Sequence, residues 1–247
     1  MTQTDIKPFT KEDLEQADVQ LLRDGRWGNA RVSVANINGK RWTIKDFSDR
    51  HWLVKNSFAK FVLWRELKAV RKLHGLEGVP TEAFMVTPHM LAIEYIPGRV
   101  LNRVPKEEVS PTFLEECEEI IRSIHARHLV HLDTRGTSNW VMQVNGKPAL
   151  IDFQASVDTQ GLPQKIRSFM EDMDIGGVYK KWKKYCPDEM GEFREKENER
   201  IAKLRKLWVL RGYFGVKKRN AKHGKPIDNL LTNTITSLFL WLNLYTQ

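Results

Sequence analysis

Cysteine is scarce in this chain of 247 residues. Cys117 and Cys186 are the two present, too few for a disulfide framework, so a reducing compartment is expected. The opening stretch MTQTDIKPFTKEDLEQ has no apolar core of the kind a secretory signal needs. Long hydrophobic runs are also missing. The longest apolar cluster is Leu238-Phe239-Leu240-Trp241-Leu242, far short of the ~20 residues that cross a bilayer. These absences point to a cytoplasmic protein. Internal repeats and low-complexity segments are not seen either. An apolar share of 41% suffices for a packed core, and the length suits one large domain or two small lobes around a cleft.

Acidic residues are missing from one stretch. Between Ile201 and Ile227 there are nine Lys and Arg and no Asp or Glu. The net charge of +9 resides there, because the 31 basic residues left elsewhere equal the 31 acidic ones. Leu207, Trp208, Leu210, Tyr213 and Phe214 are interleaved with these cations. That mixture suits peripheral contact with an anionic membrane, at the inner face. It equally suits aromatics packed on a lobe with the cations solvated. The run from Leu230 to Tyr245 is too short to span a bilayer, and reads as a docking helix or a shallow membrane contact. No nucleic-acid-binding motif accompanies the charge, so a nucleic-acid partner ranks lowest.

Local signals mark the elements. Asn38-Gly39 is a hairpin turn between strands over Arg31–Ile37 and Lys40–Phe47. Upstream, Asp24-Gly25-Arg26-Trp27-Gly28-Asn29 is a turn-rich loop. Its two glycines fit an ordinary turn or a loop that covers phosphates. Asn56 to Leu73 reads as a helix, with Phe58, Val62, Val70 and Leu73 on one stripe. Glu66 falls on that stripe, where a carboxylate is costly without a partner, and Lys45 on the outgoing strand is the natural one. Met90 to Ile96 is a short buried strand ended by Pro97-Gly98. Ser110-Pro111 starts a helix whose apolar stripe runs from Phe113 to Ile124. Glu115, Glu116, Glu118 and Glu119 are taken as solvated charge on its other face. Helices are expected over Leu162–Tyr185 and Met190–Leu210, separated by Pro187.

Chemistry concentrates in His131-Leu132-Asp133, Asn139 and Ile151-Asp152-Phe153. A second hairpin, Trp140–Val144 and Pro148–Asp152 around Asn145-Gly146, brings three oxygen-bearing side chains to one cleft. The set resembles the protein-kinase signature, in which one Asp handles the proton of the substrate hydroxyl while an Asn and a second Asp hold the metal ions. His125, His128 and His131 could suggest a zinc cluster. The first two sit at a helix end, where His⁺ suits the dipole, and no Cys cluster accompanies them.

In order, the chain offers a Gly-containing loop, a strand Lys, a helix Glu, a hinge strand, an HxD loop with a trailing Asn, and Asp-Phe. Over roughly residues 20–185 this resembles the protein-kinase-like superfamily. The phrases IKDFS (44–48), REL (65–67), GVP (78–80), EYIPGRVL (94–101), VHLDTRGTSN (130–139) and LIDFQA (150–155) are most similar to the bacterial lipopolysaccharide and Kdo kinase family, with RIO-type atypical kinases related. The resemblance implies an α+β, two-lobed fold with a small antiparallel N-lobe and a mainly helical C-lobe. It divides the chain into an extension (1–19), N-lobe (20–96), C-lobe (97–200) and C-terminal helical segment (201–247). It implies ATP and Mg2+ as cofactors. Gly25 and Gly28 would lie over the phosphates, Lys45 would bridge them with Glu66 holding it, and adenine would meet the hinge backbone around Glu94 to Ile96. Asp133 would accept or orient the hydroxyl proton, Arg135 would sit near the transferred phosphate, and Asn139 and Asp152 would bind magnesium. The acceptor would be a hydroxyl on a glycolipid, a sugar or a protein.

The sequence departs from the kinase pattern in three ways. Asp133 to Asn139 is one residue longer than the kinase spacing, with Ser138 at the usual place, so a bulge aided by Gly136 is expected. Gln154 replaces the Gly of Asp-Phe-Gly, which suggests a site held in one state. No Ala-Pro-Glu follows Asp152. Two other readings remain open, a pseudokinase scaffold and a small-molecule phosphotransferase of the aminoglycoside or choline kinase type. Retention of Lys45, Asp133 and Asp152 disfavours the first. The short stretch from Gly98 to Pro111 disfavours the second, which needs a larger insert.

Overall fold

The protein is described here by a computed structural model, over residues 7–25 and 29–205. Gly28 and nearly all of the basic C-terminal segment, including the Leu230–Tyr245 run, lie outside those residues.

Helix α1 (Lys11–Gln16) opens the described chain. Thr10 caps it, with Asp13 reaching back to the Thr10 N–H to complete a capping box. Strands β1 (Asp18–Arg23), β2 (Arg31–Ile37) and β3 (Lys40–Asp46) follow. The β2–β3 turn places Asn38 at φ 53° and Gly39 at φ 74°, which Asn and Gly tolerate better than other residues. A one-turn π-helix (Val54–Ala59) leads into α2 (Lys60–Lys72), then β4 (Ala83–Thr87) and β5 (Met90–Glu94). The five strands form one antiparallel sheet in the order β1-β2-β3-β5-β4.

The period-2 alternation of β3 gives that sheet two working faces. Trp42 and Ile44 are buried on one, in a small cluster with Phe9, Leu14, Phe84, Val86 and Met90. The Phe9 ring meets Trp42 and Phe84 edge-on, at 5.6 and 4.8 Å between centroids. Residues 9–16 therefore pack on the sheet, and β1 begins at Asp18, ahead of the expected lobe boundary at residue 20. The other face of β3 presents Lys45 towards α2. The stripe of α2 buries Val62, Leu63, Leu67 and Val70, together with Glu66. The regular helix starts at Lys60 because the preceding turn is wound as π-helix.

Tyr95 to Pro97 connect this lobe to the second. There β6 (Gly98–Val100) pairs with β8 (Trp140–Gln143), which pairs with β9 (Pro148–Leu150), after α3 (Pro111–Ala126) and β7 (Leu129–Val130). Strand β10 (Val157–Asp158) pairs with β7, and α4 (Gln164–Tyr185) and α5 (Gly191–Leu204) complete the lobe. Helix α5 runs through the expected 200/201 boundary, and the remainder of the helix anticipated to Leu210 lies outside the described residues. Ser110 Oγ caps α3 by accepting the Phe113 N–H at 3.1 Å. Phe113, Leu114, Cys117, Ile120, Ile121 and Ile124 are buried with Val178 and Trp182 of α4 in the main core.

Glu118 departs from the sequence reading of solvated charge. It is 2% exposed and accepts hydrogen bonds from Trp182 Nε1 (2.8 Å), Arg194 Nε (2.6 Å) and Arg122 (2.6 Å). Three donors from α3, α4 and α5 satisfy a carboxylate that its own helix could not. Among the described residues no helix is long and apolar enough to cross a membrane.

Candidate active site

Lys45 is the hub of the cleft. Its Nζ donates to both carboxylate oxygens of Glu66, at 2.7 and 2.8 Å, and to Asp152 Oδ1 at 2.7 Å. Burial would lower the Lys45 pKa, but Asp152 and Glu66 outweigh it and hold the ammonium above its usual range. Burial, opposed by Lys45, leaves Glu66 raised. Asp152 is partly buried, which would raise it, yet the adjacent Lys45 holds it below the ordinary carboxylate value. Glu66 Oε1 accepts the Phe153 N–H at 3.1 Å, and Arg65 donates to the Gln154 carbonyl. Helix α2 thus grips the Asp-Phe-Gln segment at its backbone. Asp152 itself lies in the left-handed region, at φ 70°.

The 131–139 loop is tied to the same segment. Ile151 N–H donates to the Asn139 carbonyl at 2.9 Å, and His131 Nε2 meets the Ile151 carbonyl at 3.1 Å. His131 Nδ1 accepts the Asp133 N–H at 3.2 Å, so the ring proton sits on Nε2 and is donated to Ile151. His125 Nε2 lies 3.2 Å from Asp174 Oδ2. These two histidines are thus engaged in organising the loop.

Asn139 faces Asp133, and Ser138 does not. Asn139 Nδ2 donates to Asp133 Oδ2 at 2.8 Å and to the Asp133 carbonyl at 3.0 Å. The extra residue is absorbed in a 3₁₀ turn, Thr137–Asn139. Gly136 keeps an ordinary φ of −63°, so the spacing does not use glycine's special freedom as expected. With both amide protons turned towards Asp133, Asn139 Oδ1 is the atom suited to a cation. Asp133 is half-buried; burial raises its pKa, with the Asn139 hydrogen bond opposing.

Strand pairing extends to the end of β5, at Glu94. Its N–H donates to the Glu82 carbonyl, and the Tyr95 N–H to the Arg41 carbonyl. The Glu94 carboxylate accepts from Thr81 N and Oγ1, at 2.8 and 3.1 Å, beside a cavity of about 350 Å³ formed with residues 75–79 and Gln143. Strand pairing takes those two donors. Gly25 follows β1 and is buried, with Ala30 O only 2.1 Å from where a Cβ would sit, so the loop folds back on its own backbone. Arg135 is half-buried, its pKa brought down to about 10 by burial and by Arg205.

Two residues of this site were not singled out in the sequence. Asp174 in α4 is fully buried and accepts the backbone N–H groups of His131 (2.6 Å) and Leu132 (2.7 Å). It thereby supports Leu132 at φ 62°, a strained value for a branched residue. Lys181, 1% exposed, donates to the carbonyls of Thr134 and Gly177 and lies over the Trp140 ring. A Cβ on Gly177 would stand 2.1 Å from Thr134 Oγ1, so only glycine lets α4 approach the loop this closely. The available signal was a charged residue amid the buried positions of α4, readable only once its neighbours are known.

No family model matches the chain, and no curated protein matches it. Among solved structures it is similar to the Rio2 kinase–ADP/Mg2+–phosphoaspartate complex from Chaetomium thermophilum, with a TM-score of 0.51 at 13% identity. The match covers 77% of this chain and 66% of that one, just under two thirds of its length. The likeness is one of fold, and it does not single out the lipopolysaccharide and Kdo kinase family. The chain has a protein-kinase-like, two-lobed fold.

Proposed function

We propose that the protein is an ATP- and magnesium-dependent phosphotransferase acting on a hydroxyl acceptor. The observation that carries this reading is the convergence of Lys45, Glu66, Asp152, Asn139 and Asp133 from four separate stretches of chain onto one cleft. The donor set fits a hard divalent cation, since Asp152 offers a carboxylate and Asn139 an amide oxygen. ATP with Mg2+ would supply the phosphoryl group and neutralise its charge. Lys45, fixed by Glu66, supplies a positioned cation for phosphate oxygens. Asp133, with its raised pKa and its geometry set by Asn139 and His131, is placed to take up or orient the acceptor's hydroxyl proton. The Ile96 N–H is the hinge donor for adenine. The solved neighbour contains ADP and Mg2+, which supports the same cofactors here.

The acceptor proposed from the sequence is a lipopolysaccharide-core sugar or a protein Ser/Thr. The test is calorimetric ATP binding with and without Mg2+, followed by phosphate transfer to core-saccharide fragments, Kdo-lipid A and a generic protein. The Asp133→Asn protein should lose about 10²–10⁴-fold in turnover. Asp152→Asn should instead weaken binding of magnesium nucleotide. Wild-type transfer by Asp133→Asn, or no magnesium-dependent nucleotide binding by the wild type, would refute the proposal.

A further inference from the structure

Helix α4 and the catalytic loop share more than a packing contact. Gly177 lies against the loop so closely that a Cβ there would be 2.9 Å from the Arg135 nitrogen. Lys180 and Lys184 follow Gly177 at intervals of three and four, which puts all three on one helical face. That face carries two exposed ammonium groups alongside Arg135. Arg205, at the end of α5, completes the group. The four are close enough to act on one another: Arg205 opposes the charge of Arg135, and Arg135, Arg205 and Lys184 oppose that of Lys180.

Neighbouring cations are treated differently. On α4 and α5, Arg194 pairs with Glu118, Arg200 with Asp172 and Glu197, and Arg167 with Glu171. Among the described residues, Arg135, Lys180, Lys184 and Arg205 have no carboxylate within salt-bridge distance. The polar contact of Lys184 is the Tyr185 hydroxyl, at 2.9 Å. Four clustered cations repel one another, and a bound anion would relieve that repulsion. The cluster begins two residues after Asp133, the residue proposed to meet the acceptor's hydroxyl.

Resting on the phosphotransferase reading, we infer that the acceptor carries an anionic group of its own, a phosphate or a carboxylate, held by Arg135, Lys180, Lys184 and Arg205 while its hydroxyl meets Asp133. The guanidinium groups offer paired N–H donors that match either oxyanion, and the lysines add point charges. A neutral sugar or an uncharged Ser/Thr segment would leave these cations uncompensated, so the cluster selects for charged acceptors.

The experiment is direct anion binding by the full chain, followed by calorimetry and thermal shift. Inorganic phosphate and malonate are each titrated against chloride at matched ionic strength, with and without ADP and Mg2+. The proteins are the wild type, the Lys180→Met/Arg205→Met double variant and Lys45→Met. Binding of phosphate, malonate or both is expected in the wild type, and which of them binds identifies the group. It should weaken by about tenfold or more in the double variant, persist in Lys45→Met and survive added nucleotide. No binding beyond chloride, or binding intact in the double variant, would overturn the inference. So would binding lost in Lys45→Met or displaced by ADP, since the anion would then occupy the nucleotide-phosphate position. A protein that binds these anions but fails to bind ATP would sink the kinase reading and leave the anion site standing.

Discussion

Lys181 makes the stability of this fold depend on pH in a calculable way. Its amino group is sealed between α4 and the 131–139 loop, under the Trp140 ring and against the Thr134 carbonyl. Burial, aided by Lys180 and Arg135 and opposed by Asp133, brings its pKa from 10.5 down to about 7. Burial also pushes the Cys117 thiol well up, so it stays neutral through this range. In the unfolded chain Lys181 keeps its proton up to about 10.5, while in the folded chain it loses it near 7. Between those values the unfolded state binds one more proton, so stability rises with pH. The slope is about 1.4 kcal/mol per pH unit, or on the order of 3 kcal/mol from about pH 7.5 to 9.5. Lys181→Met fills similar volume and leaves the Thr134 carbonyl its bond from Trp140 Nε1, at 2.9 Å. Urea unfolding of both proteins across this window isolates the effect, because all other titrations cancel in the difference. The wild type should gain on the variant as pH rises and the gap should flatten below about pH 7. A gap that is constant, or that closes with rising pH, would refute the reasoning.

Lys45 and Glu66 should act as a unit: Lys45→Met and Glu66→Gln each impair transfer, and the double variant is little worse than either, whereas additive losses would show independent roles. Gly177→Ala should cost on the order of 1–3 kcal/mol in urea melts and lower turnover together, because the added Cβ collides with Thr134 and displaces the loop. Asp174→Asn leaves a backbone N–H of His131 or Leu132 without its charged acceptor, and hydrogen exchange at those two amides should speed up by about tenfold or more. The basic C-terminal segment is proposed to meet anionic membranes; sedimentation should show binding to anionic and not neutral vesicles, lost with salt and on neutralising Lys217, Lys218 and Arg219, while equal, negligible binding to both would favour the packed alternative.

The parts of the site legible in the sequence are those with a strict local pattern or an evident local cost. Glu66 could be read because a carboxylate on an apolar helical stripe demands a partner, and Lys45 lies on the strand facing it. Asp133, Asn139 and Asp152 could be read because a short hairpin ties their spacing together. Other features depended on neighbours distant in the chain. Glu118 looked solvated because helical spacing says nothing of Trp182 and Arg194, which reach it from 64 and 76 residues away. The carbonyls that the Glu94 and Tyr95 N–H groups meet, those of Glu82 and Arg41, were not legible either, because sequence does not show how a strand edge will pair. Asp174, Gly177 and Lys181 gave no signal on α4, since a buried charge and a tight glycine acquire meaning from the loop pressed against them. Periodicity and spacing are properties of one segment, and the sequence states them. The partner of a buried polar group is a property of two segments, and the tertiary structure alone decides which two meet.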